Sequence, residues 1–297
     1  MSEIGQCALC GQMGELAESH IIPDFVGKWT KKTSATGFLR SAAEPNVRVQ
    51  DLDKVSLLCS KCEERFSVAE KQFSERIFKE FQDRNADVFH YDEWLLRFVV
   101  SLNWRVAVTS QDVRKAPVCV QKTVEQAVAS WSDYLLGHSH GPGIGKHYIL
   151  FLKRTASPSD QVDTVQAAWY SLRGIDYTVT WNSSSVIIYS KLPGIAIVSY
   201  LLPKTVKGWG SGTRIYRRGT IKTPQTCQSG GFLMFLLSRA LRVDTAIDQV
   251  SEAQQDKILE SVLQDPARAL MSMRRVRGLS TSEKPSEKGG SGSGLKT

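Results

Sequence analysis

The feature that most constrains this chain is a pair of Cys-x-x-Cys motifs, Cys7/Cys10 and Cys59/Cys62, with 48 residues between them. Close thiol pairs in a reducing compartment are pre-spaced to chelate a soft metal and are kept from forming disulfides. Four thiolates complete a closed, tetrahedral structural zinc site with Zn–S bonds near ~2.3 Å. The loop is longer than a zinc ribbon uses. Closure entropy grows only as the logarithm of loop length, however, and zinc binding in finger peptides supplies about 10–16 kcal/mol. Cys119 and Cys227 stand alone and read as ordinary buried thiols.

At 297 residues the chain can bury a real core without disulfides, so zinc is a local device here. No apolar run approaches the roughly 18 residues of a bilayer span, and the first residues, "MSEIGQC", carry neither a basic nor an apolar leader pattern. The expectation is a cytoplasmic protein with no membrane contact.

The pattern of apolar residues divides the chain into three parts: 1–85, a zinc-binding module; 86–278, a larger α+β domain with a basic surface; and 279–297, a Ser/Gly/Lys-rich tail expected to be disordered. In the first part, "AESHIIPDF" and "KVSLLC" read as strands, and a helix opens at the second cysteine pair, where Phe66, Phe73, Ile77 and Phe81 recur near helical spacing. Two further helices cover "YDEWLLRFVVSLNWRVAV" and "TVEQAVASWSDYLLG". Beyond "GHSHGPGIGKH" the texture becomes strand-like: "HYILFLK", "VQAAWYSL", "DYTVTW", "SVIIYSK" and "GIAIVSYLLP". Asn182 and the serines after it supply a hairpin turn, and the chain reads helical again from Gly231. "GPGIGKH" is not a phosphate-binding loop, because His140 and His147 occupy positions that such a loop needs for Gly and Ser/Thr.

The formal net charge is +8, unevenly spread. Residues 1–65 hold eight Lys/Arg against nine Asp/Glu, whereas residues 177–243 hold nine Lys/Arg and no acid. Lys204, Lys207, Arg214, Arg217 and Arg218 are the candidate nucleic-acid contacts in that stretch, interleaved with Tyr177, Trp181, Tyr189, Tyr200, Trp209 and Tyr216. Cations with exposed aromatics suit phosphate contact combined with base stacking. Cores also hold aromatics, so burial decides between the two uses. The glycines of "GWGSGTRIYRRGT" point to a mobile loop.

The order of a cysteine knuckle, a strand pair and a second cysteine pair opening a helix is the treble-clef arrangement. Over about the first 80 residues, "CALCG", "ESHIIP" and "LLCSKCE" resemble the HNH (ββα-metal) family of metal-dependent nucleases. The resemblance implies a general base at His20 and a catalytic magnesium or manganese ion beside the structural zinc. It also implies DNA as the partner, and a setting in microbial defence or mobile elements. Ser19 stands where many members carry an acidic ligand, and Glu63 where they carry His. Hard cations prefer carboxylates, so Glu63 is the expected replacement ligand, with Asp51 or Asp53 as helpers. Two rival readings remain: a non-catalytic zinc scaffold that binds nucleic acid, a protein partner or a second copy, and a subunit whose basic domain senses an anionic signal molecule.

Overall fold

The computed structural model describes residues 3–152 and 165–276. Strands β1 (Glu3–Gln6) and β2 (Met13–His20) form an antiparallel hairpin whose turn is the first cysteine pair. After β2 come helix α1 (Asp24–Thr33), the short strands β3 (Leu39–Arg40) and β4 (Arg48–Val49), and strand β5 (Lys54–Cys59). β5 returns antiparallel to β2, setting Leu16 opposite Cys59, so the three-stranded order is β1-β2-β5. Helix α2 (Ser60–Phe73) follows β5 without a loop, with Cys59 as its N-cap residue. One π-helical turn (Ser74–Phe78) and α3 (Lys79–Arg84) extend it, and Asn85 ends it at a positive φ of 52°. The strand expected over 17–25 stops at His20. Pro23 lacks a backbone N–H and serves as the N-cap residue of α1.

The rest is β6 (Val88–Tyr91), α4 (Glu93–Thr109), α5 (Gln111–Arg114), α6 (Val118–Leu136), β7 (Lys146–Phe151), α7 (Val165–Arg173), β8 (Asp176–Trp181), β9 (Val186–Leu192), β10 (Ile195–Leu202), β11 (Gly219–Lys222), α8 (Gly230–Asp248), α9 (Glu252–Gln264) and α10 (Pro266–Val276). β7 to β10 form an antiparallel sheet in the order β7-β10-β9-β8. Alternation along these strands sorts side chains onto two faces. Ile149, Phe151, Ile188, Ile195 and Ile197 point to the α4 side; Tyr148, Leu150, Tyr189, Ala196 and Val198 point to the α8 side with Phe232. Both faces are covered, which explains the near-continuous apolar runs. β11 pairs with β6 apart from this sheet. The fold is therefore α+β with antiparallel sheets and an N-terminal cysteine cluster.

α4 is the central element. Every residue from Trp94 to Ala107 except Arg97 is buried, with α2 and α6 against it and the sheet beside it. Phe98 of α4 stacks on Phe73 of α2 at 3.9 Å between ring centroids. One hydrophobic cluster consequently runs from Cys7 through α2 and α4 to Ile197 and Ile221.

Three expectations require correction or fall outside the described chain. Residues 165–172, expected as a strand, are the helix α7. Val165, Ala168, Trp169 and Leu172 follow an i, i+3, i+4, i+7 pattern, and the helical period prevails over local β-propensity. Cys119, expected buried, is exposed near the start of α6, while Cys227 is buried. The tail 279–297 lies outside the described residues. Among the described residues no helix is long and apolar enough to cross a membrane.

Candidate functional site

The four sulfurs of Cys7, Cys10, Cys59 and Cys62 lie within 4.8 Å of one another, with Cys10 Sγ 3.9 Å from Cys59 Sγ. A tetrahedral zinc with ~2.3 Å bonds requires its sulfurs about 3.8 Å apart. The donor set and its spacing fit a metal ion such as zinc. The hairpin turn shapes this nest. Cys7 N donates to Gln12 O, Gly11 N donates to Cys7 O, and Gly11 holds a φ of 72° that favours glycine. Ala8 N donates to Leu57 O, which ties the turn to β5. Burial pushes the Cys62 thiol upward and the neighbouring sulfurs add to the rise. At Cys7 burial also raises the pKa, but backbone hydrogen bonds at Cys10, Cys59 and Leu9 outweigh it and leave it at about 7. A bound divalent cation reverses the penalty on crowded thiolates.

His20 ends β2, four residues beyond Leu16, which faces Cys59. Its side chain is 16% exposed, and Nε2 lies 3.1 Å from Asp51 Oδ1. Asp24, in the first turn of α1, completes a group whose ligand atoms all lie within 4.8 Å. Lys28 pairs with Asp24, and Lys54 reaches Asp51 Oδ2 at 2.7 Å. The Lys54 hydrogen bond holds the Asp51 carboxyl well below the usual carboxylate range against its desolvation, with His20 contributing further. Buried Arg105 of α4 donates to the His20 carbonyl at 2.7 Å and pairs with Glu70 of α2, so the central helix fixes the end of the strand.

Glu63 is placed differently. Successive strand residues face opposite sides. Buried Ser19 donates its hydroxyl to Glu63 Oε2 at 2.8 Å, and the group around His20 consists of Asp24 and Asp51. Asp53 accepts the Tyr177 hydroxyl at 2.5 Å, joining the β5 approach to β8. The sequence alone does not single out Asp24, because residues 17–25 read as one strand. The available signal was Pro23 followed by an acid, a helix-start pattern.

The acid-free stretch divides by burial. Lys191 is fully buried and donates to Ser171, Gly174 and Leu192 carbonyls, and Arg239 pairs with Asp176. These two cations are structural. Lys204, Lys207, Arg214, Arg217 and Arg218 are exposed, and Arg217 meets Glu93 Oε2 at 2.7 Å. Of the six aromatics, Tyr189 and Tyr200 are buried, Tyr177, Trp181 and Trp209 half-buried, and Tyr216 exposed. The glycine-rich segment, expected mobile, is pinned by backbone hydrogen bonds. Gly210 N donates to Thr226 O, and a Cβ on Gly210 would meet Thr226 Oγ1 at 2.2 Å, so glycine is needed there for close approach. No protein-family model matches the chain, and comparison with curated proteins and with solved structures finds no match.

Proposed function

We propose that the protein is an HNH-like, metal-dependent DNA endonuclease in which a treble-clef zinc module presents His20 as the general base. The observation that carries this reading is His20 at the end of the strand that follows the four-cysteine nest, hydrogen-bonded to Asp51 and grouped with Asp24. Nε2 donating to Asp51 sets the tautomer and leaves Nδ1 as the acceptor for a water proton. Asp51 positions the ring and is placed to steady the imidazolium that forms.

An octahedral magnesium or manganese ion with ~2.1 Å bonds separates its ligand atoms by about 3.0 to 4.2 Å, compatible with the spacing of Asp24, Asp51 and His20. Asp24 and Asp51 would hold such an ion, which would supply positive charge to a scissile phosphate. Binding has to displace the ammonium of Lys28 or Lys54 from its carboxylate. Glu63, engaged by Ser19, supports the start of α2 in this reading and is not the ligand of first choice.

The test is nicking of supercoiled plasmid with and without magnesium or manganese. His20→Ala is expected to lower cleavage by ~10²–10⁴ while zinc content is unchanged. Equal activity in wild type and His20→Ala would overturn the reading. A second reading, a zinc scaffold that binds without cutting, is favoured by the same two lysines, which already neutralise the carboxylates. It predicts DNA binding with no metal-dependent cleavage.

A further inference from the structure

The segment Thr213–Ile215 pairs with the outer edge of β7 through an antiparallel bridge between Arg214 and Tyr148. Ile149 N donates to Thr213 O at 2.8 Å, and Ile215 N donates to His147 O at 2.9 Å. Alternation then decides which side chains face outward. Thr213 and Ile215 are buried, whereas Arg214 and Tyr216 are exposed, followed by exposed Arg217 and Arg218. The Tyr216 N–H reaches the Tyr91 hydroxyl at 3.4 Å, so the aromatic residue is held at its backbone too.

Arg214 lays its guanidinium over the Tyr216 ring, 4.9 Å from the centroid. With that cation in place Tyr216 is still 55% exposed. The result is an aromatic ring two residues beyond a backbone bridge, with one face against an arginine and more than half its surface open. Isolated exposed tyrosines need no explanation. This one is flanked in the chain by three exposed cations, Arg214, Arg217 and Arg218. No ion pair among the described residues engages Arg218, Lys204 or Lys207, and Arg217 alone of the strip is matched, by Glu93. Burial of Tyr189 on β9 and Tyr200 on β10 removes them as competing platforms.

Charge alone would suit any polyanion, including an acidic peptide. The open ring adds a requirement that a peptide carboxylate does not meet, a flat π-face to stack on. Duplex bases hide their faces in the helical stack, so only unpaired bases present one. We infer that the Tyr216–Arg214 pair is a stacking contact for an unpaired nucleobase, so the preferred ligand is nucleic acid with a single-stranded segment. This rests on the nucleic-acid reading above and adds strandedness to it. Arg214 and Arg218 contact flanking phosphates, and Arg217 contributes less because Glu93 must first release it.

Binding of the full chain to a single-stranded oligonucleotide, to its blunt duplex and to a polyglutamate peptide separates the possibilities. A 2-aminopurine base in the single strand reports stacking directly by loss of fluorescence. Tyr216→Ala is expected to weaken single-strand binding roughly 5- to 150-fold, the equivalent of one stacked base. Duplex binding should change less than about twofold by the same principle, and Tyr216→Phe should restore the loss. Matching thermal melting curves for wild type and variant exclude a folding defect. Equal losses on both DNA forms, an unquenched probe, or no rescue by Phe would overturn the stacking proposal and leave nucleic-acid binding intact. Polyglutamate bound as tightly as the oligonucleotide would reassign the strip to an acidic protein partner. Wild type that binds neither DNA form would overturn this proposal, while plasmid nicking tests the nuclease reading independently.

Discussion

The cysteine hairpin and the four-stranded sheet are ordered by different means within one molecule. In β1, β2 and β5 few side chains are buried: Glu3, Gln6, Met13 and Glu18 face solvent, and the turn converges on four sulfurs. In β7, β9 and β10 nearly every residue is buried, because α4 covers one face and α8 the other, while the edge strand β8 is mostly half-buried. A ligand-dependent fold and a burial-dependent fold meet along α2, whose first turn carries Cys62 and whose later turns carry Phe66 and Phe73. The lesson is that the four-cysteine nest anchors one end of the strand that carries His20, while the shared core, through Arg105, fixes its other end.

The largest effect should come from breaking the metal side. Cys59→Ser removes one of four thiolates, and structural zinc sites in finger peptides are worth about 10–16 kcal/mol. We expect loss of bound zinc and of amide protection in β1, β2 and β5, measured by elemental analysis and hydrogen exchange, with protection retained in β7 to β10. Simultaneous loss in both regions would mean that the cluster joining them makes the molecule a single cooperative unit.

Next in size is the junction itself. Phe98→Ala empties the stacked Phe73 contact in a fully buried position and should cost about 3–5 kcal/mol in urea unfolding. Reduced protection at β2 as well as in the sheet would confirm transmission through α4. An effect confined to the sheet would separate the two regions.

The smallest expected effect sharpens the sheet side through pH. His147 is buried, with Nδ1 2.7 Å from Ser199 Oγ, and desolvation, aided by Arg214, lowers its pKa to about 3. Its unfolded value is about 6.5, so between those pH values the unfolded chain binds a proton that native His147 does not. Stability is therefore fully present above pH ~6.5 and falls by up to about 1.4 kcal/mol per pH unit as acidity increases toward pH ~3. His147→Gln should flatten the urea midpoint against pH between ~6.5 and ~5. An unchanged slope would place the acid sensitivity elsewhere.

Much of this molecule was readable before any coordinates. The cysteine spacing located the sulfur nest, because two pre-spaced pairs in a cysteine-poor chain have few other uses. Phe66, Phe73, Ile77 and Phe81 located the helical run after the second pair, since period 3.6 is a local property. The Asn182 turn was legible because its side chain accepts from Ser184 and Ser185 within the same four residues. The helix α7 is not legible in the same way, because a short apolar run satisfies two periods at once.

Linear proximity determined the sulfur pairs, the helical faces and the hairpin. Tertiary structure alone decided the rest. Asp51 is 31 residues from His20 and reaches it only because β5 runs antiparallel to β2. Glu63 went to Ser19 because strand alternation turns consecutive residues to opposite sides. Lys191 and Arg239 looked like surface charge, yet both are held inside by backbone carbonyls or a carboxylate. Composition counts charges, but which of them reach solvent depends on the side from which α8 closes over the sheet, a long-range packing outcome that no local pattern encodes.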